Sequence, residues 1–377
     1  MADADLGTLT GVLAQACASE RCDDICRNWI ADKIARLKAE ERRSADTQLI
    51  HLEIEGLDGI DFYLKDEAAH PSCSLKHRLA RSLLLYGLCN GRVGPDTIVV
   101  EASSGSTAVS EAYFARMLGL KFVAIVPIGT STAKVDEIER LGGQAIQVPA
   151  AEIYARAEAF AAANKACYLD QFTYAERATD WRGNNNIAES LFSQLKEEAH
   201  PVPDWVVVGA GTGGTSATIG RYIRYNKQLC QRTRLCVPDP ENSVFFESYA
   251  ASNREIRGDT IGMIEGVGRP RVEPSFLPDI IDRMMTISDA ASVAAMMWLA
   301  DQIGRQFGPS TGLNMYAVFQ LALEMQANGQ TGSIAMLACD PGLRYDNTFY
   351  NDDWLVSKGL DYQPLLADLT AKFKVKT

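Results

Sequence analysis

Short apolar segments, each followed by a small-residue or polar loop and then by a helical pattern, recur along most of this chain. Residues 97–101 predict a strand and residues 106–118 a helix, and the pair 122–126 and 132–141 repeats the unit. Strands and helices that alternate at this spacing favour parallel strands joined by crossover helices. We therefore predict an α/β fold of two open, twisted, mainly parallel sheets with helices on both faces.

The periodicity of apolar residues extends this pattern toward both ends of the chain. It predicts strands at 49–54, 61–65, 145–148, 205–208, 234–237 and 334–338, and helices at 153–163, 214–229, 289–306 and 312–328. We expect residues 96–174 to form a smaller domain, and residues 46–95 together with 175–377 to form a larger one. Residues 1–45 have apolar positions at helical spacing, which predicts a helical arm that packs on the body or contributes to a dimer.

The charge and hydropathy of the chain limit its partners. The 377 residues include 37 basic and 48 acidic ones, which gives a formal net charge of -11. This negative surplus argues against nucleic acid or an anionic membrane as a partner. No apolar run reaches the roughly 20 residues that a membrane helix needs. The acidic start, residues 1–5, lacks the basic and then apolar order of a secretion signal, so we expect a cytoplasmic protein.

The nine cysteines and four histidines form no recognisable disulfide or metal pattern. The cysteines are odd in number and dispersed, which favours reduced thiols. Of Cys17, Cys22 and Cys26, the last two would share a helix face. Because no histidine or Cys-x-x-Cys motif lies nearby, we interpret all three as helix thiols and predict no metal site. Cys73 is predicted to be a small buried residue rather than a reactive thiol.

Three polar segments lie where predicted strands and helices meet. Residues 71–78 place Lys76 where an apolar helical pattern begins. Residues 101–107 and 209–215 are rich in serine, threonine and glycine, and each connects a strand to a helix. Backbone N–H groups at such helix starts favour a bound phosphate or carboxylate. A lysine with two anion cradles indicates pyridoxal phosphate, with one cradle for its phosphate and the other for an amino-acid carboxylate.

Each of these segments also has a purely structural interpretation. Lys76 could be a solvated lysine at a helix start, where the helix dipole mildly disfavours a cation. The serines and threonines of 103–107 are also the residues that cap helices. The glycines of 211–215 could serve only the close packing of a strand against a helix. The presence of all three segments in one chain favours the cofactor interpretation.

These segments resemble the signatures of fold-type II pyridoxal phosphate enzymes, the cysteine synthase and cystathionine β-synthase family. Residues 71–78 resemble the family's lysine signature, residues 103–107 its substrate-carboxylate loop, and residues 211–215 its Gly-Thr-Gly-Gly-Thr phosphate loop. Residues 265–268 resemble its glycine turn over the cofactor, and residues 309–312 its pyridine-nitrogen serine. The motifs occur in family order, so the resemblance covers most of the chain.

The resemblance implies a role for each candidate residue. Lys76 would be the catalytic lysine that binds the cofactor covalently. The other cofactor-binding residues would be Ser106, Gly211, Thr212, Gly213, Gly214, Thr215, Gly266 and Ser310, and the substrate-binding residues would be Ser103, Ser104, Gly105, Thr107 and Gln171. The larger predicted domain would then bind the cofactor and the smaller one the substrate, in a fold like that of the tryptophan synthase β subunit.

Three features of the motifs bear on the type of reaction. Ser106 stands where cysteine synthases have an asparagine that hydrogen-bonds the cofactor's ring oxygen, and a serine reaches less far. Arg269 and Arg271 bring two cations to the predicted mouth of the cleft. Ser310, with a hydroxyl instead of a carboxylate at the ring nitrogen, makes the ring a weaker electron sink. That favours loss of a β-substituent over transamination.

Within the family, residues 74–82 and 101–113 look most like the bacterial L-cysteine desulfhydrase branch. This resemblance implies β-elimination of L-cysteine to hydrogen sulfide, pyruvate and ammonia by a homodimeric enzyme. One alternative is β-replacement, as in cysteine synthase or cystathionine β-synthase. Another is a non-catalytic binding protein of the same fold, against which the presence of Lys76 argues.

Overall fold

The computed structural model describes residues 26–103, 105–183, 186–260 and 262–376, which contain two separate, mainly parallel sheets with helices around them. The predicted α/β class is confirmed. The predictions for Cys17, Cys22 and Ser104 lie outside the described residues. Among the described residues, no helix is long and apolar enough to cross a bilayer.

The larger sheet collects strands from both ends of the chain. Its strands are β1 (Leu49–Leu52), β3 (Ile60–Asp66), β8 (Trp205–Val207), β9 (Arg234–Pro240), β10 (Arg283–Ile287) and β11 (Gly332–Ala338). Their order is β1-β3-β11-β8-β9-β10, with only the edge strand β1 antiparallel to its neighbour. Every residue of β11 is buried, as expected for a central strand of a parallel sheet covered on both faces.

The smaller sheet is built from consecutive segments of the chain. Its strands are β4 (Ile98–Ala102), β5 (Lys121–Pro127), β6 (Gln144–Val148) and β7 (Cys167–Tyr168). They are all parallel, in the order β6-β5-β4-β7. A separate antiparallel ribbon joins β2 (Ile54–Glu55) to β12 (Lys374–Val375).

Fourteen α-helices lie in the described part of the chain. They are α1 (residues 26–44), α2 (Lys76–Cys89), α3 (Ser106–Leu118), α4 (Thr132–Arg140), α5 (Ile153–Asn164), α6 (Gln171–Ala178), α7 (Ile187–Leu195), α8 (Gly214–Tyr225), α9 (Lys227–Arg232), α10 (Phe245–Ala251), α11 (Asp289–Ile303), α12 (Pro309–Ala327), α13 (Asp352–Ser357) and α14 (Gln363–Lys372). The single helix predicted at 214–229 is wrong, because the extended backbone of Asn226 separates α8 from α9.

The described part of the predicted arm, α1, packs against α2. The Leu37 side chain is buried in one hydrophobic cluster with Leu83 and other residues of α2 and α3. Beside it, Oε1 of Glu40 lies 2.8 Å from Nε2 of His77, and both side chains are buried. Because His77 follows Lys76 in the chain, α1 supports the first turn of the helix that begins with this lysine.

Candidate active site

A cleft of about 700 Å³ opens at the carboxyl ends of the strands of both sheets. Helices that follow parallel strands begin at this edge, so the partial positive charges of their N-termini surround the cleft. Most of the predicted site residues line it: Lys76, Ser103, Gly105, Ser106, Thr107, Gln171, Gly211, Thr212, Gly213, Thr215, Gly266 and Ser310. Residues more than 200 positions apart in the sequence therefore meet in one cavity.

Lys76 is the first residue of α2 and is half-buried at the cleft. The turn before it is held by two hydrogen bonds: the Leu75 N–H donates to the Cys339 carbonyl at 2.9 Å, and the Lys76 N–H donates to Oγ of Ser74 at 3.0 Å. Burial lowers the pKa of the Lys76 ammonium; the charge of Asp340 opposes this shift, and the cation of Arg269 adds to it. A lowered pKa makes the neutral amine, which is the nucleophilic and basic form, easier to reach.

The glycine loop between β8 and α8 packs directly against neighbouring backbone. A Cβ at Gly211 would lie 2.2 Å from the Gly266 carbonyl oxygen, and one at Gly213 would lie 2.5 Å from Cα of Phe276. Gly213 also has a φ of +88°, which favours glycine. Gly214 does not line the cleft, because a Cβ there would face Ala175 of α6. The loop and the N-terminus of α8 fit a phosphate group.

The loop between β4 and α3 is connected to the predicted substrate glutamine. The Thr107 hydroxyl donates to Oε1 of Gln171 at 2.7 Å, and both side chains are buried. Ser103 and Ser106 line the same part of the cleft. The N-termini of α3 and α6 thus meet through one hydrogen bond, in a setting that suits a carboxylate.

Two buried carboxyl groups lie behind this loop. Oε2 of Glu101 accepts a hydrogen bond from the backbone N–H of Gln171 at 3.2 Å. Burial raises the pKa of Glu101 to about 8, and burial together with the charge of Glu101 raises the pKa of Glu111 well above its usual range. Through this hydrogen bond, Glu101 holds Gln171, the first residue of α6.

The strand-end residues of β11 complete the floor of the cleft. Ser310, near the start of α12, is almost fully buried and lines the cavity. Burial raises the pKa of the Cys339 thiol to about 12, so this thiol stays protonated. Burial also raises the pKa of Asp340 to about 6, and its Oδ2 accepts a hydrogen bond from the Tyr345 hydroxyl at 2.8 Å. Asp340 was missed in the sequence, although its position directly after an apolar strand could have indicated it.

The prediction that Cys73 is buried is wrong. Its thiol is exposed, and its backbone has a φ of +51° in the left-handed region. The turn before Lys76 reverses the chain at this residue and directs its side chain to solvent.

Three further residues of the site have no signal in the sequence. Tyr154 lines the cleft from α5, and Glu273 is fully buried between Arg269 and Arg271. Arg344 follows β11 and hydrogen-bonds Ser106. Each depends on contacts between segments that lie far apart in the sequence.

Comparison with protein families gives one match that covers most of the chain. Residues 42–340 match the family described as pyridoxal-phosphate dependent enzymes. The chain belongs to this family. Pyridoxal 5'-phosphate is therefore its cofactor, and the lysine, the glycine cradle and the ring of helix N-termini described above fit that group.

Relatives within the pyridoxal-phosphate dependent family differ widely in their sequence identity to this chain. The chain is 53% identical over 351 residues to an L-cysteine desulfhydrase of Mycobacterium tuberculosis, with 92% of this chain and 94% of the relative covered. It is 26% identical over 320 residues to cysteine synthase 1 of Neurospora crassa, with 84% of each chain covered. The crystal structure of O-ureido-L-serine synthase matches with a TM-score of 0.71 at 21% identity, over 83% of this chain and 96% of that one. The last match supports the fold alone.

Proposed function

We propose that the protein is an L-cysteine desulfhydrase, which converts L-cysteine and water to hydrogen sulfide, pyruvate and ammonia. The observation that carries this proposal is the cleft that holds the half-buried Lys76, the glycine cradle and the Thr107–Gln171 pair together. The 53% identity to a desulfhydrase over nearly the whole chain supports this reaction over others of the family.

Lys76 has two tasks in this proposal. Pyridoxal phosphate supplies a carbonyl that binds amines covalently and a conjugated ring that stabilises negative charge at the neighbouring carbon. The Nζ of Lys76 would be the protein amine that binds this carbonyl covalently. Once the substrate has displaced it, the free Lys76 amine would remove the proton from Cα of the substrate. The lowered pKa of Lys76 supports both tasks, because only the neutral amine can attack or accept a proton.

The remaining predicted residues hold the substrate and the cofactor in this proposal. Ser103, Thr107 and Gln171 bind the α-carboxylate, and Ser104 and Gly105 belong to the same loop. Gly211, Thr212, Gly213 and Thr215 would hold the cofactor's phosphate, Gly214 would shape the turn, and Ser106 and Gly266 would lie beside the ring. The Ser310 hydroxyl would be the partner of the ring nitrogen, and it could not keep that nitrogen protonated as a carboxylate would. This favours elimination over transamination.

The proposal also covers the domain organisation, the oligomeric state and the cellular location of the protein. We infer that residues 96–174 form the substrate domain and residues 46–95 with 175–377 the cofactor domain, after the arm at 1–45. The confinement of one sheet to β4–β7 supports this division. We further infer a homodimer in the cytoplasm; the unpaired cysteines of the described residues fit a reducing compartment.

Product analysis distinguishes this reaction from β-replacement. The purified, cofactor-loaded protein is given L-cysteine alone, and in parallel O-acetyl-L-serine with sulfide. We expect sulfide and pyruvate in equal amounts from cysteine, and little cysteine from the second mixture. Much faster formation of cysteine from O-acetylserine would make the protein a cysteine synthase instead. A protein that binds the cofactor but turns over neither mixture would contradict both assignments.

A further inference from the structure

Two arginines share one buried carboxylate at the mouth of the cleft. Nε of Arg269 donates to Oε1 of Glu273 at 3.0 Å, and Nε of Arg271 donates to both oxygens of the same carboxylate at 3.1 Å. The Glu273 side chain is fully buried, whereas the two arginine side chains are partly exposed. Two cations therefore face a single anion, and one positive charge is left uncompensated within the cluster.

Aromatic rings from the other side of the cleft hold the two guanidinium groups in place. The guanidinium of Arg269 lies 4.4 Å from the ring centroid of Phe172 and donates to the Tyr154 hydroxyl. The guanidinium of Arg271 lies 4.4 Å from the ring centroid of Tyr154. Stacking on aromatic faces stabilises arginine and fixes its plane without using its N–H donors.

Several of these donors remain available to a ligand. Within the described residues, Nη1 of Arg269 and both terminal nitrogens of Arg271 have no hydrogen-bond partner. Both arginines line the same cavity as Lys76. The cluster is therefore preorganised, positively charged and open to the cleft.

We propose that Arg269 and Arg271 form an anion subsite for the substrate's β-substituent, so that the enzyme also accepts β-substituted alanines whose β-substituent carries an anionic group such as a sulfonate. This inference rests on the proposed function, since it concerns the same cleft. Because residues 103–107 and Gln171 are proposed to bind the α-carboxylate, the arginine pair is available to a second anionic group. A guanidinium fork matches the oxygens of such a group in pairs.

S-sulfo-L-cysteine is a substrate of this class for which the reaction balances. Its Cβ–S bond breaks with the electron pair moving to sulfur, a proton leaves Cα, and thiosulfate departs. Hydrolysis of the remaining three-carbon enamine consumes one water and gives pyruvate and ammonia, without an oxidant or a reductant. The leaving group gains one negative charge as it departs, so a positive subsite stabilises the transition state more than the ground state.

The test compares kcat/KM for S-sulfo-L-cysteine with kcat/KM for L-cysteine, measured by pyruvate formation. We expect the ratio of the two values to fall roughly tenfold or more in Arg269→Gln and Arg271→Gln, as loss of about 1.4 kcal/mol of binding would give. Arg271→Lys should recover part of the loss, since it keeps the charge. Arg257→Gln is the matched control, because that guanidinium donates to the carbonyls of Arg254 and Ile256 and does not line the cleft.

A binding measurement separates this inference from the proposed reaction. Inorganic sulfate should raise the Tm of the wild type and of Arg257→Gln more than that of Arg271→Gln, whatever reaction the protein catalyses. Absence of sulfide and pyruvate from cysteine, with this sulfate difference intact, would reject the desulfhydrase assignment and keep the subsite. An unchanged substrate ratio together with equal sulfate shifts would show that the arginines only support the fold, and the subsite would be rejected.

Discussion

The guanidinium of Arg344 donates to the hydroxyl of Ser106 at 2.7 Å, although the two residues lie 238 positions apart in the chain. The same guanidinium donates to the Ser72 carbonyl at 3.1 Å and pairs with Glu137 at 3.3 Å. Arg344 follows β11 of the larger sheet, Ser106 begins α3, and Glu137 lies on α4. One side chain therefore joins the two sides of the cleft and the turn that precedes Lys76.

Replacement of this side chain should loosen the cleft. Arg344→Met removes three charge-assisted contacts at a partly exposed site, and we expect the free energy of unfolding to fall by about 1–2 kcal/mol. We also expect kcat/KM for cysteine to fall roughly tenfold, since 1.4 kcal/mol corresponds to that factor. Denaturant titration and pyruvate assays measure the two effects. Leu343→Ala is the control, because that neighbouring side chain is exposed; wild-type kinetics in Arg344→Met would contradict the joining role.

Lys76→Ala should abolish covalent attachment of the cofactor and turnover. No other amine is expected to take its place, because Lys134, which also lines the cleft, is paired with Glu265 at 2.7 Å. Borohydride reduction followed by peptide mapping should find the label on Lys76 in the wild type and in a Lys134→Ala control. A label on another lysine would disprove the assignment.

Gly213→Asp should weaken binding of the cofactor. The new side chain would meet the backbone of Phe276 and Ser275, and its carboxylate would repel the phosphate dianion. Gly91→Asp is a matched control, since Gly91 also has a positive φ but nothing lies within 4 Å of its Cβ position. Cofactor occupancy after dialysis is compared on the folded fraction of each variant. Equal occupancy in both would remove the phosphate role from the loop.

The buried pair Glu101 and Glu111 should make the protein less stable at high pH. Both pKa values are raised by folding, so the stabilisation is complete below the ordinary pKa and is lost as pH rises; for Glu101 the loss runs from about 4.5 to about 8. Glu111→Gln removes one of the two carboxyl groups that release a proton in this range. The slope of the unfolding free energy against pH should therefore become less negative by about 1.4 kcal/mol per pH unit. Urea titrations at pH 5 to 8 would show this, and the exposed Glu158→Gln should leave the slope unchanged.

Ser106→Asn should shift the reaction toward β-replacement. The longer amide reaches further into the cleft than the serine hydroxyl, and it offers both a donor and an acceptor where the family's synthases have asparagine. The expected result is a higher ratio of cysteine formed from O-acetylserine and sulfide to pyruvate formed from cysteine. The same ratio is measured for Ser106→Ala, which removes the hydroxyl without introducing a longer side chain. An equal rise in both variants would attribute the effect to loss of the Arg344 contact instead.

Much of the fold and of the site follows from local patterns in the sequence. The strand at 97–101 and the helix at 106–118 lie within one residue of β4 and α3, because the apolar periods are unbroken and the serine–glycine loop separates them. Helices α6 and α7 were not predicted, since helices of only eight and nine residues depend on packing for their stability. The exposure of Cys73 also escaped prediction, because the turn geometry and not the residue type decides it.

The sequence by itself determined that a lysine and two loops rich in serine, threonine and glycine lie at helix starts, because these features depend on a few neighbouring residues. Parallel strands then bring their carboxyl ends to one edge, so the meeting of the loops was foreseeable. Only the tertiary structure decided that Arg344 reaches Ser106, that Glu40 contacts His77, and that two arginines share Glu273. These contacts join distant segments, and their partners follow from how helices and sheets pack rather than from any local pattern.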